Sequence, residues 1–238
     1  MGQGHFSKAR SWYTERRTGA IRRASRGPGK SVKGKVDRPG GRPHVAACRA
    51  AFDRWEAFAT SPAGTWLMFG WAFAEAMVWP VIPDVLLVPM AIANRRRFYV
   101  PLGAAIAGSA LGGTALYLAA TLLPDPAGTL LQLLPLVSER QITAAQTSLA
   151  AWGAAALLAQ PWSGVPLKVW ALVAVMHGIA PWPAIPLFIG ARAVRMALVA
   201  LAARLLGHVF AGFIRDFWLY LAALYLGLFG VGWWQLMQ

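Results

Sequence analysis

The sequence is poor in cysteine and in acids: one Cys, at position 48, and nine Asp and Glu among 238 residues. A single cysteine excludes an intramolecular disulfide and any thiolate-based metal set. Cys48 reads as a small apolar residue on an amphipathic segment. No spacing of His, Cys and carboxylates suits a metal ion. No nucleophile–base pair supports hydrolysis. The expectation is a non-enzyme without metal or cofactor. Charged residues are 13% of the chain, against 57% hydrophobic, and the mean hydropathy is +0.47. Such a chain is a polytopic membrane protein rather than a soluble domain.

The net charge of +14 is concentrated at one end. Residues 1–49 hold thirteen Lys and Arg against two acids, Glu15 and Asp37. Residues 1–44, with GPGK and RPGGRPH, lack an apolar period and read as a disordered, solvated cytoplasmic tail. An attraction to anionic lipid and an organelle transit role are the alternatives. An apolar h-region is missing, so the segment does not read as a secretory signal. Beyond Trp12 and Tyr13 the tail offers bases no stacking platform, and no nucleic-acid partner is expected.

The chain beyond this tail is apolar and repeatedly interrupted. Residues 45–60 place Cys48, Ala51, Phe52, Trp55 and Phe58 opposite Arg49, Asp53, Arg54 and Glu56, as in an interfacial amphipathic helix. Ser61-Pro62 reads as a helix cap followed by a first-turn proline. A helix is expected from Ala63 to Trp79. Pro80 and Pro83 break it, and Asp84 is placed to cap a second half from Val85 to Ala93. Neither half spans alone, since about 20 residues are needed. A re-entrant hairpin is therefore expected, and Arg95–Arg97 marks the surface.

Phe98–Leu123 is long enough to cross, with Gly108, Gly112, Gly113 and Tyr117 as a small-residue packing face. Residues 127–137 read as a short interfacial or loop segment. Ser138 and Gln141 form a capping box, with Ile142, Ala145, Leu149 and Trp152 following on one face. Then come an apolar run 150–159, a break containing Pro161 and Pro166, and a run 167–176. Spans at 184–206 and 217–234 complete the chain. The early order thus recurs, with Pro80 and Pro161 81 positions apart. Paired interrupted segments point to a transporter-type site at a repeat interface. The expectation is all-α, with two re-entrant hairpins in an inverted repeat and three full transmembrane helices. The positive-inside rule sets the N-terminus in the cytoplasm.

Five ionisable residues fall deep in this scheme: Glu75, Asp84, Lys168, Arg192 and Arg195. Arg192 and Arg195 are three apart and share a helix face. Each such residue costs about 2.5–3.5 kcal/mol to insert, so together they mark a substrate or proton path more readily than a structural ion network. One cation in excess suits an anionic group such as phosphate. His177 reads as a surface residue at a helix end. Gln160 and Ser163 either coordinate at the break or satisfy its freed backbone groups.

FAEAMVWPVIPDVLLVPMAIAN, GSALGGTALY, VPLKVW and GARAVRMALVA together resemble the DedA/VTT (SNARE-associated) membrane proteins, closest to the YqaA-like branch. The resemblance covers residues 61–210, leaving 211–238 as a C-terminal transmembrane helix. It implies facing re-entrant hairpins in the bacterial inner membrane. The family roles it implies are movement of lipids or polyprenyl-phosphate carriers between leaflets, proton-dependent operation, and membrane homeostasis. By resemblance, Glu75 and Asp84 match the acids of the first hairpin, Lys168 the basic residue of the second, and Arg192 and Arg195 the R-x-x-R of the next span. Leu167 stands where the family carries an aromatic, and Ala193, Val194 and Ala120 replace glycines or their neighbours. The function expected is lipid transport, with membrane lipids as partners and homo-oligomers an option. A transport-free homeostasis protein and a small-ion antiporter are the alternatives.

Overall fold

A computed structural model describes residues 43–94, 96–122, 126–134 and 137–237. The tail up to residue 42, and Arg95, lie outside the described residues. The described elements are all helical.

Helix α1, Pro43–Ala59, buries Cys48, Phe52 and Ala59. Its polar side is exposed, and two of its residues make ion pairs there. Arg49 pairs with Asp216 at 2.6 Å and Asp53 with Arg215 at 2.5 Å. Helix α2, Pro62–Met77, starts as expected: Ser61 Oγ accepts from Gly64 N–H at 3.1 Å, and the proline sits where no N–H is needed. It ends two residues short of Trp79, because a residue before proline avoids helical backbone. The break therefore covers 78–83, with Pro80 and Pro83 both in it. Helix α3, Asp84–Ala93, includes Asp84 as its first residue. The expected capping by Asp84 does not occur, since its carboxylate turns to Arg195 instead.

Gly64, at the start of α2, lies against Met90, near the end of α3. Trp71 Nε1 donates to Val81 O across the break. The two helices are thus an antiparallel hairpin whose open ends lie together. Helix α4, Tyr99–Leu122, packs parallel to α2: Gly108 meets Phe69 and Phe73, and Gly112 meets Phe73 and Ala76. A Cβ at Gly108 or Gly112 would collide with a backbone carbonyl of α2, so the small-residue face is required at both positions.

Helix α5, Pro126–Leu133, is short and buries Leu131. Helix α6, Glu139–Trp152, carries the capping box in full, with Ser138 N–H donating to Gln141 Oε1 and Gln141 N–H to Ser138 Oγ. Ala145 and Leu149 are buried, but Trp152, expected on the same face, is exposed. The helix stops one residue later at Gly153, whose φ of +56° is left-handed backbone open to glycine. A 3-10 helix, Gly153–Ala159, and helix α7, Gln160–Ser163, follow. Pro161 lies in the first turn of α7, where its missing N–H costs nothing. The second break is therefore shorter than expected, from Gly164 to Pro166. Helix α8, Leu167–Met176, is buried along most of its length.

Helix α9, Pro181–Val209, is longer than the expected 184–206 because Pro181 begins it. Asp84 pairs with Arg195, and Ile92 touches Gly207, so α3 and α9 run in the same direction. Helices α10, Ala211–Asp216, and α11, Trp218–Met237, close the chain. Phe52 meets Trp218 edge-on at 5.1 Å, which fixes α1 to the start of α11.

Among the described residues, three helical runs are long and apolar enough to cross a membrane: α4, Glu139–Ser163 and α9. The chain is by these criteria a multi-pass membrane protein. The expected spans at 98–123 and 184–206 are among the three. The expected third, at 217–234, contains only the shorter apolar stretch Trp218–Gly232. The Glu139–Ser163 run takes its place by length, yet it is not one straight rod. Gly153 turns it, and Gln141 Nε2 reaches Gly164 O at 3.4 Å, so its two arms lie against each other. A straight helix would hold those residues roughly 35 Å apart.

Candidate functional site: a charge cluster between the two breaks

Four helices place the five deep residues. Glu75 is in the last turn of α2, just before the first break. Asp84 opens α3 just after it. Lys168 is in the first turn of α8, after the second break. Arg192 and Arg195 project from the middle of α9, one turn apart.

The structure brings all five together. Arg192 Nη2 donates to Glu75 Oε2, and both side chains are 4% exposed. Arg195 Nη2 donates to Asp84 Oδ2 at 2.8 Å, with 28% and 15% exposed. Lys168 Nζ donates to Val78 O and Trp79 O, each at 3.3 Å. The ammonium thus crosses from the second break to hold the carbonyls that the first break frees from α2. A buried pair broken on one side leaves an uncompensated charge, so these contacts fix the hairpin and the span together.

Electrically, the cluster holds two matched pairs and a third cation. Lys168, 3% exposed, has no carboxylate within ion-pair distance among the described residues. The two pairs also differ in access. Glu75–Arg192 is closed off, whereas Asp84–Arg195 is partly open. Tyr225 of α11 stands beside the open pair, donating its hydroxyl to Asp84 O at 3.3 Å.

The packing residues frame this cluster. Gly113 admits Leu167 and Phe188 at 3.2 Å from where a Cβ would stand. Tyr117 is buried, its hydroxyl donates to Ile179 O, and its ring meets Phe188 at 6.2 Å. It therefore ties α4 to the turn before α9. Of the second-break residues, Ser163 satisfies local groups: its Oγ accepts from Val165 N–H and Trp170 Nε1, both at 3.2 Å, and donates to Gln160 O at 3.1 Å. Gln160 is different. It is 1% exposed, and neither amide atom has a hydrogen-bonding partner in the described structure. His177 is exposed at the end of α8, as a helix-end residue. No cluster of His, Cys, Asp and Glu that could hold a metal occurs among the described residues.

Sequence reasoning misses two things. Ser109, beside Gly108, is 1% exposed, and its hydroxyl, like the Nε of Arg192, has no hydrogen-bonding partner among the described residues. Its place in a run of small residues hides it. The second is a basic cavity of about 770 Å³, lined in part by Arg96, Arg97, Arg204, His208 and Arg215. Read singly in the sequence, its arginines are only topology markers. Comparison with protein-family models, curated proteins and solved structures finds no match for this chain.

Proposed function

We propose that this protein moves a phosphate-bearing lipid, of the glycerophospholipid or polyprenyl-phosphate class, between the leaflets of a bacterial inner membrane. One observation carries the reading: two carboxylates and three cations, drawn from both halves of the chain, meet beside two helix breaks. Such residues at membrane depth are expensive and are kept where a polar cargo or proton passes. The recurring order of helix, half-helix, break, half-helix and span also supports it. On this reading the breaks are tips of re-entrant hairpins entering from opposite faces, in the manner of the DedA/VTT resemblance. The bundle end carrying Arg96, Arg97, Arg204 and Arg215 is then cytoplasmic.

The chemistry follows from the pairing. Protonation of Asp84, the more accessible acid, releases Arg195. The freed guanidinium and the Lys168 ammonium then offer two cations to a phosphate. Loss of the proton restores the ion pair and expels the anion. Glu75–Arg192 is the fixed half, or an alternative proton site reached during transport. The test is lipid flipping in sealed vesicles by wild type, Arg192→Ala and Asp84→Asn. Slow flipping by both variants is expected. Equal rates in all three would remove these residues from the path.

The pairing of each acid with its own arginine also favours a second reading, a homeostasis protein whose charges only hold the fold. Rescue of expression by Glu75→Arg with Arg192→Glu, with no flipping by any variant or wild type, would select it.

A further inference from the structure

Helices α4 and α9 run in opposite directions, and two contacts fix their register. Arg204, near the end of α9, lies over the ring of Phe98, just before α4, at 4.8 Å. Further along α4, Gly113 meets Phe188, near the start of α9, at 3.2 Å from where a Cβ would stand. One turn back along α4 from Gly113 is Ser109. One turn onward along α9 from Phe188 is Arg192. Because the helices are antiparallel, both steps lead to the same level. A further turn brings Ala105 level with Met196, and both are buried. Ser109 thus belongs to the stripe of α4 that packs on α9, opposite Arg192.

The hydrogen bonding agrees with that placement. A serine or threonine within a helix can give its hydroxyl to the carbonyl one turn back. Ser148 Oγ donates in this way to Ala144 O at 2.8 Å, and Thr65 Oγ1 to Ser61 O at 3.2 Å. Ser109 Oγ makes no such bond, and it finds no other partner among the described residues. Arg192 commits Nη2 to Glu75, but its Nε–H is also unpartnered. A buried polar group left in that state costs about 1–3 kcal/mol. Here two of them stand at one level of one interface. Ala105 and Gly113, a turn to either side of Ser109, are small, whereas Arg192 is flanked by Phe188 and Met196.

We propose that Ser109 and Arg192 hold one buried water between α4 and α9. The water accepts from Arg192 Nε–H and donates to Ser109 Oγ. Buried waters occupy such places, where polar groups have no protein partner. Nε–H and Nη2 point from the same edge of the guanidinium, so the water stands beside the Glu75 carboxylate. Ser109 is therefore a positioning residue: through the water it holds the guanidinium edge that grips Glu75. This extends the charge cluster onto α4, which contributes none of its five charged members. It rests on the buried ion pair and not on transport.

The test is water-edited solid-state NMR of the full chain, carrying isotope-labelled arginine, in vesicles of phosphatidylethanolamine and phosphatidylglycerol. Magnetisation passes from water protons to arginine Nε–H, and Arg192→Lys identifies the Arg192 signal by its loss. Transfer to Arg192 is expected in the wild type, although the side chain is 4% exposed. Loss of that transfer is expected in Ser109→Ala, with the Arg192 signal itself still present and thermal melting confirming that the variant is folded. No transfer in the wild type would overturn the proposal, whether or not the variant folds. So would equal transfer in wild type and Ser109→Ala, which would mean that Ser109 does not hold the water. Only the hydration of one side chain is read, so a chain that flips nothing still passes or fails this test.

Discussion

Arg192 and Glu75, 117 positions apart in the chain, form a buried ion pair that ties α9 to the last turn of α2. Removing one partner leaves a charge without compensation, at a cost of about 3–5 kcal/mol. Arg192→Ala and Glu75→Ala should each lower the melting temperature in detergent substantially. The double change to Met at both positions should melt closer to wild type than either single variant. A double variant as unstable as the sum of the singles would show that the two side chains do not act as a pair.

Lys168 makes no ion pair among the described residues but donates to two carbonyls of the first break. Hydrogen bonds from charged donors contribute about 1.5–3 kcal/mol. Lys168→Met should raise amide hydrogen exchange in residues 78–83 while leaving α8 itself protected. Unchanged exchange there would mean that the break is held by other contacts.

Three glycines of α4 make a controlled series. A Cβ at Gly108 or Gly112 meets the α2 backbone, whereas nothing lies within 4 Å of one at Gly103. Gly108→Ala and Gly112→Ala should each destabilise by about 1–3 kcal/mol, as overpacking does. Gly103→Ala should be neutral or stabilising by up to about 1 kcal/mol, because alanine favours helix. Thermal melting of the three variants decides this, and equal effects would refute the close approach of α2 and α4.

The docking of α1 carries a pH signature. The hydrogen bond from Arg49 holds the Asp216 carboxyl below its ordinary value of 3.8. A carboxyl depressed in the folded state contributes stability above that value and loses it as pH falls further. Attachment of α1 should therefore be constant from neutral pH to about pH 4 and weaken below it. Salt should weaken it at neutral pH, since both ion pairs are at the surface. Cross-linking between cysteines placed on α1 and α10 would follow both effects. Loss of attachment between pH 7 and pH 5 would contradict the assignment.

Local chemistry is the legible part of this chain. Ser61-Pro62, the Ser138–Gln141 box and the Pro80–Pro83 break each act within a few residues, and each stands where the pattern puts it. The deep charges are legible because a charge in an apolar run has no innocent placement. Their partners are not. Nothing in the spacing pairs Glu75 with Arg192 rather than Arg195, or sends Lys168 to the carbonyls of Val78 and Trp79. The sequence pattern makes the second break too long, since proline reads as a breaker and Pro161 sits in a first turn that tolerates it. The fold-back at Gly153 turns on a left-handed backbone angle that the run 150–159 does not advertise. The basic cavity needs several elements brought together, so in the sequence its residues look like separate topology markers.

Lys168, the buried cation without a carboxylate partner among the described residues, is the residue proposed to meet the phosphate of the cargo. Its direct measure is the initial flipping rate of a fluorescent polyprenyl-phosphate analogue in sealed vesicles, comparing wild type, Lys168→Ala and Lys168→Arg at matched protein density and confirmed folding. At least a tenfold loss is predicted for Lys168→Ala, with partial recovery in Lys168→Arg. Equal rates for wild type and Lys168→Ala would contradict the proposed role.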